Sequence, residues 1–358
     1  MSVITYSEIM ELASSNKVVS VDQDIGSNLK VYNAVSREEK STLKYRCIVV
    51  DEKEEKVVLQ SCPFSPELSD EESKTLDLTK FKAFFAYEGT LVRVWFYNNI
   101  WRMSTDRKLN AFSSRWSSPL SFGQLFEQAV KCSFSEFTEK LNKKFVYMFL
   151  IHSTNDNRVV CKGRNIVMSV GKFNPLRGSE DKYEFGSLGM SEVNYPVELK
   201  YESLEQLRKD VETMSSSTHQ GVILFGEDNS QFKVSSKKYL DLVKVRGNEP
   251  NVMKRCFQLI NDPTQKKALY ELYPEKKVLF QKFEDGLTLL SIRMYEIYVG
   301  RYLQKQIIYC DKFMHYIIVK VHNLYKSTRV NTSPITMMNM LLTENFYFVD
   351  KTVKSLNM

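Results

Sequence analysis

The sequence predicts an α+β fold for residues 1–247 and an all-helical fold for residues 248–358. Before residue 250, runs of β-branched residues flank polar reversals, which is typical of antiparallel hairpins. From Val252 onward, apolar residues recur every three or four positions, which is typical of helices packed on one face. We therefore expect two domains, a division that suits a chain of 358 residues.

The first part of the chain is predicted to form short strands and a loop. The apolar runs that indicate strands lie at 18–21, 31–35, 45–51 and 56–60. The last two form a hairpin around a charged turn at 52–55. The stretch 65–78 is acidic and contains Pro66, so we expect it to be a loop.

The middle of the first domain carries the strongest strand signal. The segment 90–96 is nearly continuous in apolar and β-branched residues, as a strand buried on both faces is. Asn98 and Asn99 favour a turn to a partner strand at 100–104. Helical spacing predicts helices over 122–141 and 204–214. Further strands are expected at 82–85, 146–152, 157–160, 221–225 and 231–234, with 146–152 paired to 157–160 and a turn at 226–229.

Cysteine and histidine spacing argues against a metal centre. The six cysteines contain no Cys-x-x-Cys pair and the four histidines are scattered, so we expect reduced thiols and no bound metal. No apolar run approaches the ~20 residues that a membrane helix needs. The first residues do not have the pattern of a secretory signal. We therefore expect an intracellular protein without a membrane partner.

The positive charge is concentrated in the last third of the chain. The formal net charge is +7, and residues 251–358 hold 16 Lys and Arg against 9 Asp and Glu, so that the preceding residues balance. Such an excess favours a polyanion such as RNA or DNA as partner. An ordinary solvated basic surface has the same composition, so charge alone leaves both interpretations open.

Several short segments are informative through their order and spacing. They are 45–52 (YRCIVVDE), 87–91 (YEGTL) followed by 104–108 (STDRK), 145–150 (FVYMFL), 219–224 (HQGVIL) and 232–239 (FKVSSKKY). In this order they resemble the motifs of the phage-type RNA ligase family, within the covalent nucleotidyltransferase superfamily. They also resemble RNA-ligase-like proteins of large DNA viruses of eukaryotes, whose helical appendage is similar to 255–259 and 272–275. The resemblance implies a nucleotidyltransferase-like pair of antiparallel sheets with flanking helices and a cleft between them.

The resemblance also implies a chemistry. In the family, a lysine amine attacks the α-phosphorus of a nucleoside triphosphate, while divalent metal and further lysines offset the developing charge. The nucleophile stands three residues before a glycine, and counting back from Gly89 gives Ala86. A methyl group cannot attack phosphorus. Lys80 and Lys82 do not replace it, because either would require the strand to slip by roughly 13 Å or more at ~3.3 Å per residue.

Other positions depart from the family's pattern in the same direction. Gln220 stands where the fourth motif has a glutamate, and a neutral amide is a poor ligand for a hard cation. The third motif carries a carboxylate in the family, whereas the segment 148–150 here has none. The fifth motif keeps Lys233 but has Ser235 in place of its second lysine. Together these changes predict a degenerate site without a catalytic residue.

The remaining polar residues of the motifs are candidates for binding a nucleotide or its phosphates. They are Glu88, Gly89, Arg93, Arg107, Lys108, Gln220, Lys233 and Lys237. Arginine and lysine suit phosphate through charge and multiple donors, although each has a solvated surface role as its alternative. The strand aromatics Trp95, Tyr97 and Trp101 are expected to pack in the core rather than to stack on bases. Most tyrosines of the helical domain are expected to be half-buried packing residues.

These observations leave three functions open. The first is a catalytically inactive RNA-ligase-like protein that binds nucleotide or RNA, or that serves as a structural viral component. The second is an active RNA ligase working on pre-adenylylated ends, because only the first chemical step needs the lysine. The third is a protein-interaction module in the helical domain. The resemblance further implies ATP or GTP with Mg²⁺ as ligand where binding persists, viral proteins as partners, and a cytoplasmic or virion-associated location.

Overall fold

The computed structural model of the protein describes residues 4–36, 39–152, 158–174, 184, 188–227 and 230–356. The chain divides into two compact units, residues 1–244 and 245–358. The strand predicted at 157–160 and the turn predicted at 226–229 lie partly outside the described residues. Among the helices that the structure describes, none combines the length and the apolarity that crossing a bilayer requires.

The strands of the described residues all belong to the first unit. They are β1 (Val18–Asp24), β2 (Leu29–Ala34), β3 (Ile48–Asp51), β4 (Lys56–Leu59), β5 (Phe81–Ala86), β6 (Gly89–Tyr97), β7 (Ile100–Ser104), β8 (Val146–His152), β9 (Val167–Phe173), β10 (Glu198–Leu199), β11 (Gly221–Gly226) and β12 (Gln231–Ser235).

Helices follow in both units. Those that begin before the unit boundary are α1 (Tyr6–Ser14), α2 (Asp70–Thr75), α3 (Phe122–Val130), α4 (Phe134–Glu139), α5 (Leu204–Thr213) and α6 (Lys237–Arg246). Those beyond it are α7 (Val252–Gln258), α8 (Pro263–Leu272), α9 (Lys277–Tyr298), α10 (Lys312–Thr328), α11 (Pro334–Leu341) and α12 (Phe346–Lys354).

The strands form three four-stranded sheets in which the paired strands run antiparallel. The first sheet has the order β1-β2-β3-β4, the second β7-β6-β8-β9 and the third β10-β5-β11-β12. The predicted α+β class, with antiparallel sheets and a helical C-terminal region, is confirmed. The structure has three sheets where the resemblance implied a pair.

Alternating apolar residues stack these sheets into layers. Leu29 and Val49 of the first sheet pack against Trp95 and Met148 of the second. The opposite face of the second sheet is covered by α3 and α4, where the rings of Phe126, Phe137 and Phe149 meet edge to face. Each fully buried phenylalanine contributes about 1.5–3 kcal/mol of transfer free energy, so the second sheet is held from both sides. The third sheet is covered on one face by α5.

Three sequence predictions in this unit are corrected by backbone geometry. The stretch 65–78, expected to be a loop, contains the helix α2, whose start is capped by Ser69. The helix expected over 122–141 is two helices, because Lys131 adopts a left-handed φ of 59° at the end of α3 and Ser133 caps the start of α4. The strand β8 pairs with β9 rather than with 157–160, whose described residues are not in a strand. The sequence of β9 contains Gly171 and Lys172, which weaken its strand signal.

Arg93, predicted to face phosphate, lies inside the first unit. Its Nη1 forms an ion pair with Oδ1 of Asp106 at 2.5 Å, and its Nε donates to Oγ of Ser61 at 2.7 Å. Arg46 donates to both carboxylate oxygens of Asp106, at 3.0 and 3.2 Å. Burial opposes ionisation, but the charges of Arg46 and Arg93 hold the pKa of Asp106 well below its ordinary value. One carboxylate thus balances two guanidinium groups that join the first sheet to the second.

The second unit is built around the long helix α9. Its apolar positions, among them Leu287, Leu290 and Met294, pack against Ile317 and Val321 of α10 and against α11 and α12. A π-helical turn (Val299–Leu303) follows α9 directly and carries the chain toward α10.

Replacing Asp106 by asparagine is expected to lower the free energy of unfolding of the chain by about 3–5 kcal/mol, because two guanidinium groups lose their counter-charge. Urea unfolding measures the change. Glu52→Gln is the matched control, since its ion pair with Lys30 at 2.7 Å is partly solvated and contributes about 0–1 kcal/mol. Equal, small effects of the two substitutions would show that the Asp106 network does not hold the two sheets together.

Candidate functional site

Ala86 and the segments that resemble the fourth and fifth motifs meet on one sheet. Ala86 of β5 pairs with Gly221 of β11, which pairs with Ser235 of β12. Directly opposed residues of antiparallel strands lie on the same face, and side chains alternate between faces. The face of the third sheet opposite α5 therefore carries a common set, called the site face below: Phe84, Ala86, Gly221, Ile223, Lys233 and Ser235.

Ala86 lies at the end of β5, where the chain crosses from the third sheet to the second. Only Tyr87 and Glu88 separate β5 from β6. The backbone N–H of Gln220 donates to the carbonyl oxygen of Ala86 at 2.8 Å. The side chain of Ala86 is buried and ends in a methyl group, so the position counted as the family's nucleophile holds no amine.

Glu88 acts inside the fold. Its buried carboxylate accepts hydrogen bonds from the backbone N–H groups of Val159, Val160 and Cys161 at 2.5, 2.8 and 3.1 Å. The hydroxyl of Tyr239 donates to the same carboxylate at 3.2 Å. Four donors compensate the cost of burying this charge, so Glu88 ties the crossing between the sheets to 159–161 and to α6.

Two glycines allow the backbones to approach at this crossing. A Cβ atom on Gly89 would collide with the carbonyl oxygen of Ile151 in β8. A Cβ atom on Gly221 would collide with the carbonyl oxygen of Val234 in β12. Close backbone approach within the sheets therefore explains why glycine stands at both motif positions. For Gly89, this explanation requires no bound ligand.

Gln220 and Lys233 come together beside Ala86. The side-chain amide of Gln220 donates to the carbonyl oxygen of Tyr87 at 2.8 Å, which leaves its oxygen facing Lys233. The amine of Lys233 donates to that oxygen at 3.1 Å. The sequence predicted both residues for the site, and the structure brings them into direct contact. The amine of the half-buried Lys233 thus reaches Gln220, whose backbone N–H is bonded to Ala86.

An acidic residue outside the motif segments lies at the edge of β12. Residues 65–68 run along this edge, where the N–H of Lys233 donates to the carbonyl oxygen of Pro66 at 2.7 Å. The carboxylate of Glu67 then accepts from the hydroxyl of Ser235 at 2.6 Å and from its N–H at 3.1 Å. The position where the family has its second lysine therefore holds a neutral serine bound to a carboxylate.

The other predicted basic residues lie away from these contacts. Arg93 is paired with Asp106 in the interior, on the side of the second sheet that packs on the first. Lys108 pairs with Asp22 of β1 at 2.8 Å, and Arg107 beside it is exposed. Lys237 is exposed at the start of α6, where its backbone N–H donates to Glu212. Of the predicted cations, Lys233 is the one that the described contacts join to the residues around Ala86.

A small cluster of rings flanks the crossing and was not predicted from the sequence. The imidazole of His219 stacks on Phe85 with ring centroids 4.2 Å apart and planes 20° apart, and Tyr87 meets His219 edge-on at 5.1 Å. Burial lowers the pKa of His219, and the positive charge of Arg164 and the neighbouring His152 lower it further. Motif spacing predicted Gln220 for the site but not the adjacent His219. The aromatic residues Phe85 and Tyr87, at the end of a strand that pairs near His219, could have indicated this cluster from the sequence.

The donor set around Ala86 does not fit a resident divalent metal. Mg²⁺ prefers carboxylate and carbonyl oxygens, whereas the site offers the amide of Gln220, which is already bonded to Lys233, and a third-motif strand without a carboxylate. Within the described ranges, no group of three or more histidine, cysteine, aspartate or glutamate side chains is placed to hold a metal ion. We therefore derive no metal-dependent step.

Curated proteins similar to this chain come from iridoviruses. It is 30% identical over 291 residues to an immediate-early protein ICP-46 homolog of Invertebrate iridescent virus 3, which covers 76% of this chain and 64% of the relative. The homolog of Invertebrate iridescent virus 6 is 28% identical, covering 76% and 66%. ICP-46 of Frog virus 3 is 25% identical, covering 56% and 54%. The chain thus spans just under two thirds of the first two relatives. No family model matches it.

Solved structures similar to this chain are those of Naegleria gruberi RNA ligase. A single-substitution variant of that ligase without ligand has a TM-score of 0.40 at 14% identity, covering 52% of this chain and 58% of the ligase. Another single-substitution variant, with AMP and Mn, has a TM-score of 0.38 at 15% identity, covering 51% and 57%. The predicted likeness to RNA ligases and to proteins of large DNA viruses is confirmed as a likeness. A TM-score of this size supports no inference about activity.

The neutral imidazole of His219 makes the stability of the first unit depend on pH. Its pKa is lower in the folded chain than the ordinary 6.5, so the unfolded chain binds a proton first as pH falls. This contribution to stability is complete above about pH 6.5 and is lost progressively below it. We expect thermal unfolding to shift less between about pH 7.5 and about pH 5.5 in His219→Phe, which keeps the ring on Phe85 but cannot titrate. An unchanged pH dependence would mean that His219 is not protonated on unfolding.

Proposed function

We propose that the first unit is a non-catalytic relative of covalent nucleotidyltransferases that binds a phosphate-bearing ligand, a nucleoside triphosphate or an RNA 5′-phosphate, at the site face. The proposal rests on Ala86, which stands at the position counted as the nucleophile while the residues around it still resemble the family's motifs. The strand crossing, both glycines and Lys233 are kept around a position that has lost its amine. A frame kept without its nucleophile is suited to binding rather than to transfer.

Lysines elsewhere on the strands of the site face do not restore the nucleophile. Lys82 shares the face but lies four residues from Ala86 along β5, about 13 Å at ~3.3 Å per residue. Lys233 lies two strands away from Ala86 and its amine is hydrogen-bonded to Gln220. In the proposed complex, that amine donates to a phosphate oxygen and adds the charge that an anion requires. Gln220 holds the amine in place from the side of Tyr87.

The proposal extends to the setting of the protein. The curated relatives are virus proteins, two of them named as homologs of an immediate-early protein. This supports a virus-encoded protein that acts in the infected cell or is carried in the virion. In this setting, the ligand is a nucleotide or an RNA 5′-end present in the infected cell or in the virion.

Substituting Lys233 by methionine is expected to weaken binding of ATP at least about tenfold, because a charge-assisted hydrogen bond is worth about 1.5–3 kcal/mol. Calorimetric titration of ATP, GTP and a short 5′-phosphorylated RNA, with EDTA present, measures the change. Lys238→Met is the matched control, since Lys238 is an exposed lysine close by in the chain. The control should change affinity by less than about twofold.

Two results would overturn the proposal. One is that none of the three ligands binds the wild-type chain at low salt. The other is that Lys233→Met and Lys238→Met weaken binding equally, because binding would then follow the overall charge rather than the site. Thermal unfolding of each variant checks that the fold is retained.

Removing the charge of Glu67 is expected to strengthen ATP binding. Its carboxylate lies against Ser235 on the site face. The repulsion between a carboxylate and a phosphate charge about 4 Å apart is roughly 1 kcal/mol even at the dielectric constant of water. Glu67→Gln keeps one acceptor oxygen for Ser235, so we expect an affinity roughly three to ten times higher at low salt. Glu71→Gln removes the same charge from an exposed position of α2 and serves as control. Equal gains in affinity from both variants would show that the net charge of residues 65–78, and not the position of Glu67 at the site face, controls binding.

A further inference from the structure

The second unit carries a row of stacked rings at the edge of its core. The row consists of Tyr298 at the end of α9, Tyr302 in the π-helical turn, and His322 and Tyr325 in α10; we call it the aromatic ladder. The sequence analysis treated the tyrosines of this region as packing residues, and nothing in the site of the first unit uses them.

The ladder has the geometry of successive stacking. The rings of Tyr302 and His322 lie 3.7 Å apart with an angle of 18° between their planes. His322 and Tyr325 are 6.3 Å apart at 24°, and Tyr298 and Tyr302 are 5.1 Å apart at 38°. Tyr298 is buried, whereas Tyr302, His322 and Tyr325 are half-buried. The row therefore runs from the core of the unit to its surface.

The π-helical turn places Tyr302 in this row. A π-helical turn holds one more residue than an α-helical turn, and such turns are rare and concentrated at functional sites. Here the turn follows α9 directly and sets the ring of Tyr302 flat against His322. Packing of α9 on α10 is provided by buried residues such as Met294, Ile317 and Val321. Tyr298 belongs to this core and Tyr302 packs against it, whereas Tyr325 lies outside that core cluster.

Lysines flank the ladder. The amine of Lys305 donates to the carbonyl oxygen of Tyr302 at 3.0 Å, and the exposed Lys326 adjoins Tyr325 in sequence. Burial, and then the positive charges of Lys326 and Lys305, lower the pKa of His322. A neutral imidazole offers a flat π face for stacking, while the two ammonium groups attract an anion.

We propose that the aromatic ladder is a stacking platform for a single-stranded nucleic acid, whose bases extend the row of rings and whose phosphates contact Lys305 and Lys326. Rows of aromatic side chains beside cations bind single strands in this way, with each base worth about 1–3 kcal/mol. The excess of 16 basic over 9 acidic residues in 251–358 supplies the long-range attraction. This platform stands independently of the phosphate site proposed for the first unit.

Fluorescence titration of the full chain with single strands of about twelve nucleotides, one RNA and one DNA, each containing 2-aminopurine, tests the platform. Stacking on the ladder is expected to quench the probe. His322→Ala should weaken binding roughly fivefold or more, and His322→Tyr, which keeps a ring at this position, should restore it to within about threefold. Lys326→Gln should reduce the slope of log affinity against log salt by about one. Comparison of the RNA and DNA arms identifies which strand is preferred.

Tyr316→Ala provides the matched control. Tyr316 is an exposed tyrosine of the same helix with the amine of Lys320 5.1 Å from its ring centroid, and it is not a member of the ladder. This variant should change affinity by less than about twofold. The proposal is overturned if the wild-type chain binds neither strand at low salt, or if His322→Ala and Tyr316→Ala have the same effect. It is also overturned if polyglutamate competes as well as the strands do, since charge alone would then explain binding.

Discussion

The buried carboxylate of Glu88 is the interaction on which the arrangement of the first unit depends. It lies between β5 and β6, where the chain passes directly from the third sheet into the second. Three consecutive N–H groups and the hydroxyl of Tyr239 compensate its charge, and without them burial would cost several kcal/mol. Because Glu88 is fixed, Ala86 and Gly89 on either side of it are fixed as well, and so is the register that brings Lys233 to Gln220.

Under the proposed relationship to nucleotidyltransferases, this constraint explains how the fold persists with alanine at position 86. The contacts of Glu88, the close approaches at Gly89 and Gly221 and the layers of apolar side chains stabilise the fold regardless of which residue stands at position 86. The charges that phosphate transfer would need are a separate matter. Of these, Lys233 remains, while Ser235 is neutral and bonded to Glu67, and Gln220 cannot replace a carboxylate. The residues that stabilise the fold are therefore different from those that would supply positive charge for a phosphate.

The strands that the sequence predicts best are those with a local signal. The hairpin of β6 and β7 follows from a continuous apolar run and an Asn-Asn turn, and the bounds expected for β7 agree with the structure. Long-range pairings were missed: β9 has a weak strand pattern and joins β8 across an intervening segment. Among candidate site residues, motif spacing predicted Gln220 and Lys233, which the structure brings into contact. It also predicted Arg93, whose pairing with Asp106 depends on the three-dimensional packing of two sheets. Glu67 was missed because a loop residue gains its partner only through tertiary structure.

We propose that alanine at position 86 leaves this chain unable to carry a nucleotide covalently. Intact-mass spectrometry tests it most directly, after incubation of the wild-type chain with ATP or GTP and Mg²⁺ and removal of free nucleotide under denaturing conditions. We expect a single mass, that of the unmodified polypeptide, because position 86 holds a methyl group rather than an amine. A mass increased by one nucleoside monophosphate, located on Lys233 or on any other lysine, would contradict the account and identify an enzyme with a displaced nucleophile.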